Sequence, residues 1–338
     1  MNLKISEEFR KNLLNWFKIN ARILPWRTEP SLYKTVLSEF MLQQTQVKTV
    51  LPFFEKWLKR FPNFSALAQA NPEEVMHYWA GLGYYSRAKN LHQLAKNIQD
   101  NPPTTAKEFM QYKGIGAYTS AAIASIAFNE PIVVIDGNVI RVLSRIFNHT
   151  GTFPSKDASI KWCAPLAQNL LDKTQPGKFN EAIMDLGALI CTKNNPDCIN
   201  CPLKKICLAF QNNTVILCPQ FIQPKRNKKT KKRLWFLHEH QILLEKSKIG
   251  NLLELPELSS EINSFLKSTH LIFSGKRSIS TTDYTEEIYQ ATFEGIQCLT
   301  HPVFKAYTFY PIKDLDKLSL SGPHKRWIKN ILKLMPNK

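Results

Sequence analysis

The chain has 338 residues, 43% of them hydrophobic, and its 45 Lys and Arg against 27 Asp and Glu give a formal net charge of +18. That length suffices for two domains with cores of their own, and no apolar run approaches the roughly 18 residues a membrane span needs. So large a cationic excess points to a polyanion. Nucleic acid comes ahead of an anionic membrane surface, because no segment reads as a basic amphipathic membrane helix.

Up to about residue 210 the pattern is almost entirely helical. Val36, Leu37, Phe40 and Met41, then Val47, Val50 and Leu51, recur at helical spacing, with Pro30–Ser31 as a start signal and Pro52 interrupting or kinking the later part. Further helices are expected over 72–80, 87–99, 106–112, 118–128, 139–147, 155–171 and 178–190. The apolar run 131–135 tempts a strand assignment, or serves as an extended entry into a helix. Residues 225–233, KRNKKTKKR, carry seven cations in nine positions and read as a solvated linker with phosphate contact as the alternative. Beyond it, 234–237, 241–245, 270–273, 288–293 and 305–310 read as strands, with helices near 260–267 and 323–334. The expected domains are therefore 1–224, a basic linker at 225–233, and a smaller α+β domain at 234–338.

Four cysteines, Cys191, Cys198, Cys201 and Cys207, follow the pattern C-x6-C-x2-C-x5-C. Thiolates this close hold a metal or cross-link. The absence of an apolar leading segment suggests a reducing cytosol, where disulfides are rare. Zinc sites tend to bring two close Cys pairs and only one occurs here, so an iron–sulfur cluster is preferred while zinc stays open. Cys163, Cys218 and Cys298 are scattered and read as small buried hydrophobes.

Two carboxylates and one turn carry the remaining chemistry. Gly114 and Gly116 bracket Ile115 between two helical stretches, allowing a sharp turn into a helix whose free N–H groups attract anions. Asp136 ends an apolar run where a helix begins, a position for an N-cap whose negative charge the helix terminus favours. Glu39 sits in a mostly apolar helix; aimed into a cleft, its carboxyl keeps its proton near neutral pH. One protonated and one charged carboxyl form the pairing that glycosidic-bond cleavage requires.

Taken together, Leu24-Pro25-Trp26-Arg27, Ser38 through Gln46 (SEFMLQQTQ), Gly81 through Ala88 (GLGYYSRA), the Gly114–Gly116 turn, Ile135 through Val139 (IDGNV) and the cysteine loop resemble, in kind, order and spacing, the adenine DNA glycosylases of the MutY type. These belong to the helix-hairpin-helix iron–sulfur glycosylases. The resemblance covers about residues 5–210. It implies a mainly α, two-lobed helix-hairpin-helix glycosylase with a [4Fe-4S] cluster on Cys191, Cys198, Cys201 and Cys207, followed by a smaller α+β Nudix-like domain. It also implies double-stranded DNA as partner, with adenine flipped from a mispair with 8-oxoguanine or guanine. By the same resemblance Glu39 protonates adenine, and Asp136, aided by Asn138 and Tyr118, stabilises or captures the sugar cation. Trp26, Arg27 and Glu181 match residues of the adenine pocket, Gln44, Leu82 and Tyr84 residues entering the opened stack, and Gly114 and Gly116 the phosphate-gripping hairpin. A monomer in the cytoplasm, on the nucleoid through DNA, is expected.

The rival is a glycosylase/lyase of the endonuclease III kind, whose Schiff-base lysine falls where Tyr118 stands; a phenol forms no imine. The C-terminal region departs from the MutY type. Residues 276–285 read KRSISTTDYT, without the family's Phe-Ser-His triplet, segment 252–256 is shortened, and no pyrophosphatase box appears. Lys204 and Lys205, on the cysteine loop, are expected to face the DNA backbone.

Overall fold

The computed structural model describes residues 3–223, 225–247, 252–259, 266–279, 281–293 and 307–334. The chain divides into two compact units, Met1–Ile222 and Gln223–Lys338. Among the described residues no helix is long and apolar enough to cross a membrane.

The first unit is helical. It runs α1 (Leu3–Asn20), α2 (Pro25–Thr28), α3 (Leu32–Leu42), α4 (Val47–Arg60), α5 (Phe64–Ala68), α6 (Pro72–Trp79) and α7 (Ser86–Ile98). Then follow α8 (Ala106–Phe109), α9 (Ala117–Phe128), α10 (Gly137–Ile146), α11 (Lys156–Leu170), α12 (Pro176–Leu189) and α13 (Leu208–Gln211), with a short parallel pair of strands, β1 (Thr152–Phe153) and β2 (Gln220–Phe221). Side-chain caps fix several starts: Ser31 accepts from the Lys34 N–H, Ser155 from Ala158, and Thr105 and Glu108 form a capping box.

Two cores result. Trp26, Phe40, Phe54, Trp57, Trp79, Leu91, Phe109 and Ile115 belong to one. Phe9 and Leu13 of α1 join Leu143, Leu170, Phe179 and Leu186 in the other. The chain thus begins in the second core, leaves to build the first, and returns. The helical spacing over Val36–Leu51 is carried by two helices: Gln44 takes φ 57°, left-handed backbone that ends α3, and α4 then runs through Pro52. Segment 131–135 is extended but unpaired. Buried Asn180 replaces a neighbouring strand there, accepting from the Val134 N–H at 3.1 Å and donating to the Ile132 carbonyl at 2.9 Å. That connection delivers Asp136 to the start of α10. Cys163 and Cys218 are buried, as expected, whereas Cys298 lies outside the described residues.

The second unit holds a three-stranded sheet of β3 (Asn227–Trp235), β8 (Thr282–Phe293) and β7 (Leu266–Ile279), in the order β3-β8-β7. A second sheet joins β4 (Leu237–His238), β5 (Gln241–Lys246), β6 (Leu253–Glu254) and β9 (Tyr307–Pro311). Helix α14 (Gly322–Leu334) packs Trp327 against Gly275, where an added Cβ would come within 2.3 Å of the indole. The basic run is not a linker. Its residues from Asn227 onward form β3, parallel to β8, because β8 offers Asp283 to Arg226 at 2.8 Å and the rings of Tyr284 and Tyr289 to Lys231 and Lys232. Arg233 is buried on Glu286, Glu245 and Glu254. The glutamates that the sequence leaves dispersed therefore do converge, but on Arg233, Arg277 and His324, and these hold Glu286 down to about 2 against the opposing effect of burial. Residues 276–279 and 282–285 form a strand pair. Of the helix expected near 260–267, residues 260–265 lie outside the described residues, and β7 begins at Leu266.

Candidate active site

Helix α3 is buried nearly all round. Val36, Leu37, Phe40 and Met41 enter the first core, while Thr35, Ser38, Glu39 and Leu42, spaced 3-1-3, turn to one cavity. That cavity, of about 660 Å³, is also lined by Trp26 and Arg27 of α2, Tyr118 of α9, Asp136 and Asn138 at the start of α10, and Glu181 and Met184 of α12. It gathers the four expected catalytic residues and the three expected adenine-pocket residues.

Glu39 is 7% exposed, and burial pushes its carboxyl up to about 8, reinforced by the charges of Glu181 and Asp136 and opposed by Arg27. A carboxyl in that range carries its proton at neutral pH. Asp136 caps α10: one oxygen accepts the Val139 N–H at 2.8 Å and the other the Asn138 side-chain amide at 2.8 Å. These donors and the helix N-terminus complement a negative charge. Tyr118 is raised well above its ordinary value, first by the charge of Glu39 and then by burial, so it stays a phenol, and its hydroxyl donates to Met184 Sδ at 3.4 Å.

Arg27 spans the pocket floor. Its Nε donates to Glu181 at 2.5 Å and its Nη1 to Asp185 at 2.8 Å. Burial raises Glu181, with Arg27 pulling the other way. Asp185, fully buried, also accepts from Arg22 at 2.6 Å; burial opposes its charge, but the hydrogen bonds from Arg27 and Arg22 prevail and hold it below its ordinary value. Sequence reasoning missed Asp185 and Arg22. The available signal was the four-residue step from Glu181 to Asp185 on α12, which puts both on one helix face. It also missed Arg141, one turn after Asn138. Its Nη2 donates to Asn138 Oδ1 at 2.8 Å and its Nε to the Cys191 carbonyl at 2.7 Å, joining the α10 start to the cysteine loop.

The remaining expected residues lie outside the cavity lining. Gly114 has φ 90°, and a Cβ there would meet the Asn90 amide at 2.7 Å, so the turn requires glycine; Gly116 has open space and caps α9. Ile115 is buried in the first core. Gln44 and Tyr84 are exposed, while Leu82 is 6% exposed and sits in that core rather than facing solvent. Cys191, Cys198, Cys201 and Cys207 line one apolar cavity, with Arg145 Nη1 3.2 Å from Cys191 Sγ. Burial pushes Cys201 up to about 12 and also raises Cys198 and Cys207. Lys204 donates to the Ile199 carbonyl at 2.8 Å, and Lys205 is exposed.

The HhH-GPD superfamily of base excision DNA repair proteins matches residues 37–165, which include Glu39, the Gly114–Gly116 turn and Asp136. An adenine DNA glycosylase of Buchnera aphidicola (subspecies Baizongia pistaciae) is 38% identical over 253 residues, covering 70% of this chain and 69% of the relative. The chain belongs to the adenine DNA glycosylase family. With that family it is a DNA glycosylase, an enzyme of base-excision repair. The adenine DNA glycosylase of Mus musculus is 42% identical over 216 residues, but this chain spans only 42% of its length. Among solved structures, a thermostable thymine-DNA glycosylase superposes with TM-score 0.55 at 24% identity over 62% of this chain and 98% of its own. A non-covalent endonuclease III–DNA complex does so with TM-score 0.52 at 17% identity over 63% and 98%. These two speak for the fold alone.

Proposed function

We propose that this chain excises adenine mispaired with 8-oxoguanine or guanine in double-stranded DNA, by hydrolysis without strand cleavage. The observation that carries the reading is a buried Glu39, whose carboxyl burial pushes up to about 8, and a hydrogen-bonded Asp136 in one cavity. Adenine extruded from the duplex enters between them, bordered by Trp26 and the Arg27–Glu181 pair. Glu39 gives its proton to a ring nitrogen of adenine, so the base leaves as a neutral molecule and the glycosidic electrons go with it. Asp136, held by Val139 and Asn138, faces the oxocarbenium-like sugar that remains. Water then adds to the anomeric carbon and returns a proton. No amine takes part, since Tyr118 occupies the place of a lyase lysine and keeps its proton.

Single-turnover assays across opposite bases test this. Adenine release is expected opposite both 8-oxoguanine and guanine, with strand breaks appearing only after alkali and no covalent adduct trapped by borohydride. Because residues 276–285 lack the Phe-Ser-His triplet, the rate ratio between the two opposite bases is expected to be smaller than for a MutY-type enzyme that carries it, measured alongside. Strong borohydride trapping would remove the monofunctional reading.

The all-sulfur donor set and the apolar cavity it lines fit a [4Fe-4S] cluster on Cys191, Cys198, Cys201 and Cys207. Bound there, the cluster supplies a cross-link for loop 191–207 and contributes no electron to a hydrolysis. Such a cross-link would steady the backbone that carries the exposed Lys205, a candidate contact for DNA phosphates, and the Cys191 carbonyl that Arg141 grips. Purified protein is expected to contain iron with broad visible absorption, and Cys198→Ala to lose both; stoichiometric zinc without iron would overturn the assignment.

A further inference from the structure

Arg87, at the start of α7, is a buried cation, 5% exposed, whose hydrogen-bond acceptors are carbonyl and hydroxyl oxygens. Its Nη1 donates to the carbonyls of Phe40 at 3.0 Å, Met41 at 2.7 Å and Gln43 at 2.6 Å. Its Nη2 donates to Thr45 Oγ1 at 3.0 Å, the Leu82 carbonyl at 3.3 Å and the Gly83 carbonyl at 3.2 Å. One guanidinium therefore binds two turns, the Gln43–Gln46 break after α3 and the Gly81–Tyr84 turn before α7. Burying a charge against neutral oxygens is costly, and a fold needing only bulk at this point would be better served by an apolar side chain.

What the two turns carry is unusual. Gln44, at φ 57°, and Tyr84, at φ 48°, are non-glycine residues held in left-handed backbone, one on each turn, and both side chains are exposed. Tyr84, 58% exposed, has its ring centroid 5.4 Å from the Arg87 guanidinium, which also lies 5.3 Å from the Trp79 ring. Gln43 adds a second tie, donating to the Gly114 carbonyl at 3.2 Å and so linking its turn to the hairpin. Strained backbone that presents a polar and an aromatic side chain to solvent persists only where its surroundings over-determine it.

We propose that Arg87 is a positioning residue: it holds preformed the exposed Gln44 and Tyr84, which the family resemblance already assigns to the gap left in the DNA stack by an extruded nucleotide. This rests on the base-extrusion reading above. An unstacked base step is partly compensated when a side chain takes its place, and prongs fixed in advance lose little freedom on insertion. The fan of six acceptors is reached by the Nη1 and Nη2 of a planar guanidinium, while its buried Nε has no hydrogen-bond partner; an ammonium carries the charge without the geometry.

The test is Arg87→Lys, with Gln44→Ala/Tyr84→Ala as a second variant whose changes lie at exposed positions. The first readout is fluorescence of 2-aminopurine placed beside the target adenine in a mispaired duplex, which reports unstacking and needs no chemistry. The second is single-turnover release from that duplex and from one whose target adenine faces an abasic gap and is already unstacked. Both variants are expected to lose most of the fluorescence rise and to slow release from the mispaired duplex about 10- to 100-fold, with no more than about threefold loss on the gapped one. Glu39→Gln is expected to keep the fluorescence rise and lose release from both substrates. An undiminished fluorescence rise in either variant, or equal losses on the two duplexes, overturns the proposal. A wild type that unstacks the target but releases no adenine would instead count against the proposed reaction and leave the prong assignment standing.

Discussion

Glu39→Gln is expected to abolish adenine release while leaving DNA binding within severalfold, and to make the free protein more stable. A positioned general acid contributes about 10²–10⁴-fold, and glutamine has no proton of the right acidity to give. The stability gain follows from the buried carboxyl, whose ordinary value of 4.5 is pushed up to about 8 in the fold. Below pH 4.5 the group is protonated folded and unfolded, and nothing is lost. Between 4.5 and 8 the unfolded chain releases a proton that the folded chain retains, so stability falls as pH rises; above 8 both are ionised and the penalty is constant. At pH 7 that penalty is on the order of 3 kcal/mol. Melting curves should show the variant's advantage widening between about pH 5 and pH 8. Wild-type release should decline as pH rises through about 8. A stability gap independent of pH would show that Glu39 is ionised in the fold.

Asp136→Asn should be nearly as inactive for a different reason. Asparagine caps a helix as well as aspartate does, so α10 keeps its start and the melting temperature should barely move. The charge facing the sugar is lost, and loss of one preorganised electrostatic partner costs about 10²–10³-fold in rate. Single-turnover release measured with binding to the same duplex separates the effects: affinity retained, rate lost. Retention of more than a tenth of the wild-type rate would mean that the positive sugar is stabilised elsewhere.

The helical unit was legible where local signals act. Ser31, Asp136 and Ser155 all cap helices at sequence-readable starts. The candidate site was legible through Glu39, an acid among apolar neighbours, and Asp136, an acid at a helix start, which line one cavity. Asp185 was not, because its importance comes from Arg22 and Arg27, which are more than 150 residues away in the chain. The basic run failed for the same reason. Seven cations in nine look solvated until Asp283, Tyr284, Glu286 and Tyr289, some 50 residues on, are laid beside them by strand pairing. The α3 break was hidden too, since the guanidinium that takes the carbonyls of Phe40 and Met41 comes from Arg87.

The chain's departure from one core and return to it has a bearing on when the two carboxyls of the cavity come together. Glu39, the proposed proton donor, hangs from the core formed by the middle of the domain, and Asp136 from the core that the two ends share. A nascent or half-melted molecule with a single core assembled positions only one of the two carboxyls. On the proposed reaction, adenine release therefore requires both cores to be assembled.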